Sequence, residues 1–186
     1  HALLANAGTG TGVDAVIDAA HPALSRDALA RGMQDYLRTL DFPMILVASG
    51  REDIVASRDA LCFVKNGSPR MSRVTGTGCM ATELLAAFLA VTTEEERTLE
   101  SRTVGEEAFL QTENTDSDET ACGVRTAGEE TTFRAAVLAT AFMGIAGEIA
   151  EESAPRGSGS YHIALIDALS TMTAEDIVGR IHLGEA

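Results

Sequence analysis

The residues best placed to do chemistry are Val74-Thr75-Gly76-Thr77-Gly78-Cys79-Met80. The stretch entering them, Arg70 to Val74, reads as a strand, and the apolar run from Cys79 to Val91 predicts a helix. Small residues let the backbone turn sharply between the two. The first four amides of a helix have no partner within it. The N–H groups of Gly76, Thr77, Gly78 and Cys79 would therefore converge where the helix dipole is positive. Such a nest suits an anion, above all a phosphoryl group gaining charge during transfer. Cys79 would lie where backbone donors and the dipole favour a thiolate, so it could take a proton from an attacking hydroxyl. The plainer alternatives are a tight structural turn and a small buried hydrophobe.

The loop is not a P-loop: G-x-x-x-x-G-K-[ST] is absent, and the single lysine, Lys65, is remote in sequence. A second Thr-Gly-Thr-Gly, Thr9 to Gly12, has no apolar strand before it and no long apolar helix after it, so it reads as a loop. Cys62 and Cys122 read as small apolar residues. No C-x-x-C pair is present and the four histidines are scattered, which argues against zinc and leaves any metal ligands unassigned. Glu148, on an Ala-rich helix, reads as a surface carboxylate.

The elements needed to position this loop follow from periodicity. Residues 25–40 predict a helix capped by Ser25, with Leu29, Met33, Tyr36, Leu37 and Leu40 on one face. Phe42 to Ala48 predicts a buried strand ended by Ser49-Gly50-Arg51-Glu52-Asp53. Ala60 to Val64 predicts another strand. Asn66-Gly67 then predicts a hairpin turn, with Arg70 to Val74 as the returning strand. Residues 133–152 and Tyr161 to Thr171 predict two more helices, giving an α/β pattern.

The net charge of −14 disfavours nucleic acid as a partner. Nine of those negative charges fall within 92–132, so the acidity belongs mainly to one segment. That stretch, 92–131, predicts a flexible acidic insertion in a single domain spanning 1–186. No uninterrupted apolar run reaches the roughly 18 residues of a membrane span, and no signal peptide is visible. Sparse, odd cysteines suit a cytoplasmic setting.

The loop 74–80 running into Leu84-Leu85-Ala86-Ala87-Phe88-Leu89-Ala90-Val91 resembles the signature of the hydroxyethylthiazole kinase family. Three further stretches agree in order: Gly12-Val13-Asp14-Ala15, Val47 to Asp53, and the C-terminal helices with Gly144-Ile145-Ala146-Gly147-Glu148, Gly157 to Tyr161 and Leu165 to Leu169. The resemblance covers 1–91 and 132–170. It implies a ribokinase-like layered fold, with a central mostly parallel sheet flanked by helices and incomplete at the N-terminus. It also implies ATP with Mg2+, the small alcohol 4-methyl-5-(2-hydroxyethyl)thiazole as substrate, a homotrimer, and a role in thiamine synthesis or salvage. By the same resemblance Ser49 contacts ATP and Gly76 contacts substrate, and Cys79 stands where many ribokinase-fold enzymes place an Asp base. The family's N-terminal portion has no match here, the acidic insertion has no counterpart, and Thr11 stands where the family often shows Lys. Rival expectations are a hydroxymethylpyrimidine kinase, an ATP-dependent dehydratase of hydrated nicotinamide nucleotides, and a non-catalytic binding subunit.

Overall fold

The structure is a computed structural model that describes residues 25–107, 127–154 and 156–184. The loops read at 1–15, Thr11, Cys122 and the middle of the acidic stretch lie outside the described residues.

Helix α1 spans Arg26–Arg38. Ser25 caps it, its hydroxyl accepting the Ala28 N–H, while Asp27 and Arg38 complement the dipole at either end. Ala30, Met33 and Leu37 recur at helical spacing and are buried. They pack against one face of a sheet formed by β1 (Leu46–Ala48), β2 (Asp53–Ala56), β3 (Leu61–Val64) and β4 (Leu183–Gly184), in the order β1-β2-β3-β4.

Register decides which residues meet which helix. Ile54 pairs with Phe63 and Ala56 with Leu61, and all four join the α1 side. Val55 pairs with Cys62 and Asp53 with Val64; Val55, Cys62 and Val64 pack on the opposite face. There they meet Ala136, Val137 and Ala141 of helix α3, Ala127–Ser153. Both faces of the short central strands are thus covered, which explains runs too uniformly apolar to alternate.

Helix α2, Thr77–Glu107, packs along α3, with the Phe88 and Phe142 rings tilted at a centroid distance of 5.6 Å. Helix α4, Ser158–Thr171, lies on another side of α3. Tyr161 and Leu165 of α4 are fully buried with Met143, Ala146 and Ala150, and the Tyr161 hydroxyl donates to the Gly147 carbonyl at 3.0 Å. Helix α5, Ala174–Arg180, opens with a capping box between Thr173 and Asp176. Most of α3 is enclosed by these neighbours. Its stretch Gly128–Ser153 is long and apolar enough to cross a membrane by composition, although no shorter uninterrupted apolar run suggested it. Packing on several sides accounts for that apolarity.

Five expectations need correction. All three strand pairings are antiparallel among the described residues, not mostly parallel. Arg70 to Val74 is not a returning strand: Met71–Arg73 form a 3-10 turn, and the partner of β3 is the C-terminal β4. The expected strand at Phe42 to Ala48 is ordered as a strand only over Leu46–Ala48. Asp53, read as part of a strand-ending turn, instead begins β2. Helical structure also continues from Thr92 to Glu107 and resumes at Ala127, inside the stretch read as an insertion.

Leu37 sits at 2% exposure between α1 and the sheet. Leu37→Ala should lower unfolding free energy by about 2–5 kcal/mol, read by urea denaturation, because the lost side chain leaves a cavity.

Candidate functional site

At the start of α2 the chain turns through Gly76, whose φ of +96° is costly for any residue with a side chain. Val74, extended just before it, is buried in the core with Met143 and Tyr161 and fixes where the turn begins. The Gly76 carbonyl accepts the Met80 N–H at 2.9 Å, closing the first helical turn. The Thr77 hydroxyl reaches back to the Met71 and Val74 carbonyls, both at 3.4 Å. The amides of Thr77, Gly78 and Cys79 make no hydrogen bond to any other described residue. The helix therefore presents an uncapped, electropositive end.

That end opens on a cleft of about 1050 Å3. Thr77 and Gly78 line one side. Ser49, Gly50, Arg51 and Asp53, from the β1–β2 connection, line another. The strap Asn66-Gly67-Ser68-Pro69 and the α3 residues Thr140, Met143 and Gly144 complete the wall. Ser49 and the glycine-rich turn, which are far apart in sequence, are brought to one cleft. Gly76 is half-buried and Cys79 is exposed at the helix mouth, and neither is among the lining residues. The thiol is thus neither packed in the core nor a wall of the cleft.

Two features of the site were not assigned from the sequence. Asp53 reaches back to its own turn, its Oδ1 accepting the Gly50 N–H at 2.8 Å. Burial pushes the Asp53 carboxyl above its ordinary range, and the Gly50 N–H opposes that shift. The only sequence signal was its place in Ser49-Gly50-Arg51-Glu52-Asp53. The second is Glu148, expected on the surface. Its Oε1 accepts the Asn66 Nδ2 at 3.1 Å and the Gly67 N–H at 2.9 Å. Asn66, read as a hairpin-turn residue, is buried by this contact.

Phosphate groups fit what lines the cleft: free amides, the Ser49 hydroxyl and the Arg51 guanidinium. Among the described residues, no group of three His, Cys, Asp or Glu side chains is placed to hold a metal.

Comparison with known proteins shows the family to which the chain belongs. A family model described as the hydroxyethylthiazole kinase family matches residues 1–117. A hydroxyethylthiazole kinase of Ruminiclostridium cellulolyticum is 34% identical over 136 residues, covering 73% of this chain and 36% of the relative. One from Nitratidesulfovibrio vulgaris is 43% identical over 90 residues, covering 48% of this chain and 30% of its own length. The chain spans about a third of the length of these relatives. The solved hydroxyethylthiazole kinase protein of Pyrococcus horikoshii shares the fold, with a TM-score of 0.54 at 22% identity over 86% of this chain and 47% of that one.

The raised Asp53 carboxyl has a consequence for stability. A carboxyl whose folded pKa lies above its unfolded value favours folding most when protonated, and that contribution is lost as pH rises through the folded pKa. Asp53→Asn, which keeps an acceptor for Gly50, should therefore be at least as stable as the parent at pH 7 in urea denaturation. The gap should close below the ordinary value of 3.8. An equal gap at both pH values would show that ionisation of Asp53 is not its source.

Proposed function

Because the chain belongs to the hydroxyethylthiazole kinase family, we propose that its cleft serves ATP-dependent phosphorylation of the primary alcohol of 4-methyl-5-(2-hydroxyethyl)thiazole, in thiamine synthesis or salvage. The observation that carries this reading is that the uncapped start of α2 and Ser49 line one cleft.

In this reading the amides of Thr77, Gly78 and Cys79 hold the transferring phosphoryl group. Preorganised donors stabilise charge on its oxygens as the bond to the leaving phosphate loosens. Ser49 contacts the nucleotide, and Arg51 adds positive charge beside it. Gly76 keeps the turn free of a side chain, so that the alcohol can approach the nest. The hydroxyl oxygen attacks the γ-phosphorus as the bond to the bridging oxygen of ADP breaks, ADP departs, and the hydroxyl proton passes to Cys79 acting as the thiolate. Cys79 is exposed next to the lining residue Gly78 and is not itself in the wall; in this reading it acts from the cleft's rim. Magnesium bound with the nucleotide would supply charge neutralisation on the phosphates. The working form is a cytoplasmic homotrimer, and residues 1–186 belong to one ribokinase-like domain as its C-terminal portion.

The test is phosphate transfer from Mg-ATP to the thiazole alcohol, with hydroxymethylpyrimidine and a hydrated nicotinamide nucleotide as competitors. Transfer to the thiazole alone is expected. Turnover of a competitor would assign another ribokinase-fold activity, and no nucleotide binding at all would favour a binding subunit. Cys79→Ala should lower kcat by about 10²- to 10⁴-fold with little change in nucleotide affinity, the usual range for a positioned acid or base. Unchanged turnover removes the thiol from the mechanism and leaves proton transfer to water.

A further inference from the structure

The strap Asn66-Gly67-Ser68-Pro69 is held against one stripe of α3 at three successive points. At Gly144 the main chain of Asn66 lies so close that a Cβ would come within 2.6 Å of the Asn66 carbonyl oxygen. One turn later the Glu148 carboxylate accepts both the Asn66 side-chain amide, at 3.1 Å, and the Gly67 N–H, at 2.9 Å. Three residues further on, Glu151 accepts the Ser68 hydroxyl. Positions 144, 148 and 151 are neighbours on one helical face, so α3 provides a notch followed by two clasps.

Asn66 also carries this fixation to the end of the described chain. Its Nδ2 donates to the Arg180 carbonyl at 2.8 Å, and its Oδ1 accepts the His182 N–H at 2.8 Å. With 7% exposure, its carboxamide is engaged on both sides. The adjoining backbone bond, Lys65 N–H to the His182 carbonyl at 2.9 Å, continues into the β3–β4 pairing. Glu148 itself is not among the residues lining the cleft, whereas all four strap residues are.

We infer that Glu148 is a positioning residue: by clasping Asn66 and Gly67 it sets how far the strap stands from the start of α2, and so sets the width of the cleft. The clasp matters for turnover only if the cleft is the phosphoryl-transfer site, so this inference rests on the function proposed above. Without the carboxylate, the Gly67 N–H and half of the Asn66 donor capacity lose their partner. The strap then relaxes away from α3, and His182 loses a well-oriented acceptor. Misplacement of a binding wall by an ångström can cost on the order of a hundredfold in rate.

Three variants of the full chain separate positioning from mere stability. Glu148→Ala should lower kcat/KM on the order of ten- to a hundredfold, mainly through KM for ATP or the alcohol. Glu148→Gln keeps the Oε1 acceptor used by both donors and should recover most of that loss. Glu152→Ala breaks the surface pair Arg180–Glu152, at 2.7 and 3.0 Å, without touching the strap, and should leave the kinetics unchanged. Amide hydrogen exchange in the unliganded chain gives a second readout: Glu148→Ala should speed exchange at both Gly67 and His182. A lower melting temperature with unchanged kinetics, or no recovery in Glu148→Gln, overturns the inference. If Glu148→Ala does not fold, Gly144→Ala removes no hydrogen-bonding group while pressing on the strap; an unchanged KM there overturns it equally. If the parent phosphorylates no alcohol, the proposed function fails, while exchange at His182 still decides whether Glu148 sets the strap. Unchanged exchange at that amide means that it does not.

Discussion

Close approach between helix α3 and the chain crossing it is the constraint on which the rest depends. At Gly144 the crossing chain is Asn66, and at Gly147 a Cβ would come within 2.5 Å of the Met71 sulfur. Gly144 has no room for a side chain and at Gly147 one would displace the Met71 side chain, so α3 can sit directly beneath the segment leading to the glycine-rich turn. Interiors at such density transmit displacement, because neighbours have no free volume to absorb it. The start of α2 is therefore located by packing as well as by its own turn chemistry.

Around that contact the molecule divides its work. Apolar burial is concentrated where α3 meets the sheet on one side and α4 on another, through Val55, Val64 and Ala136 and through Ala146, Tyr161 and Leu165. Polar groups gather where the strap crosses the helix, and there they are paired: Asn66 with Glu148, Ser68 with Glu151. A buried amide without partners would be costly, so the pairing is a condition for placing a polar strap against an apolar helix. The start of α2 is the contrast. Its amides are left open, and an open end of this kind binds anions.

The cleft thus combines one loose and two tight elements. The strap is pinned to α3, and the β1–β2 connection is held by the Asp53 to Gly50 contact. The helix mouth between them has no protein partner among the described residues and is free to take its stabilisation from a ligand. That division suits differential binding, since donors already in place need not reorganise when charge develops.

Local patterning made several parts legible in the sequence. Ser25 followed by apolar residues at helical spacing specified α1, and a run of small residues before an apolar helix specified the amide nest. The same run, with three other ordered stretches, carried the family resemblance. These features depend on residues a few positions apart, where backbone propensity and side-chain period are decisive. Other features were decided by tertiary structure alone. Asn66-Gly67 has the composition of a hairpin turn, yet β3 takes its partner from Leu183 and Gly184, more than a hundred residues away. Glu148 has the composition of a surface carboxylate, yet it meets Asn66 across 82 positions of chain. Asp53 is half-buried, and Ser49 lines the same cleft as Thr77 and Gly78, only because sheet register and the crossing over α3 bring them there. Periodicity tells which face of an element is apolar; it holds no information on which distant backbone groups will need a partner once those faces close.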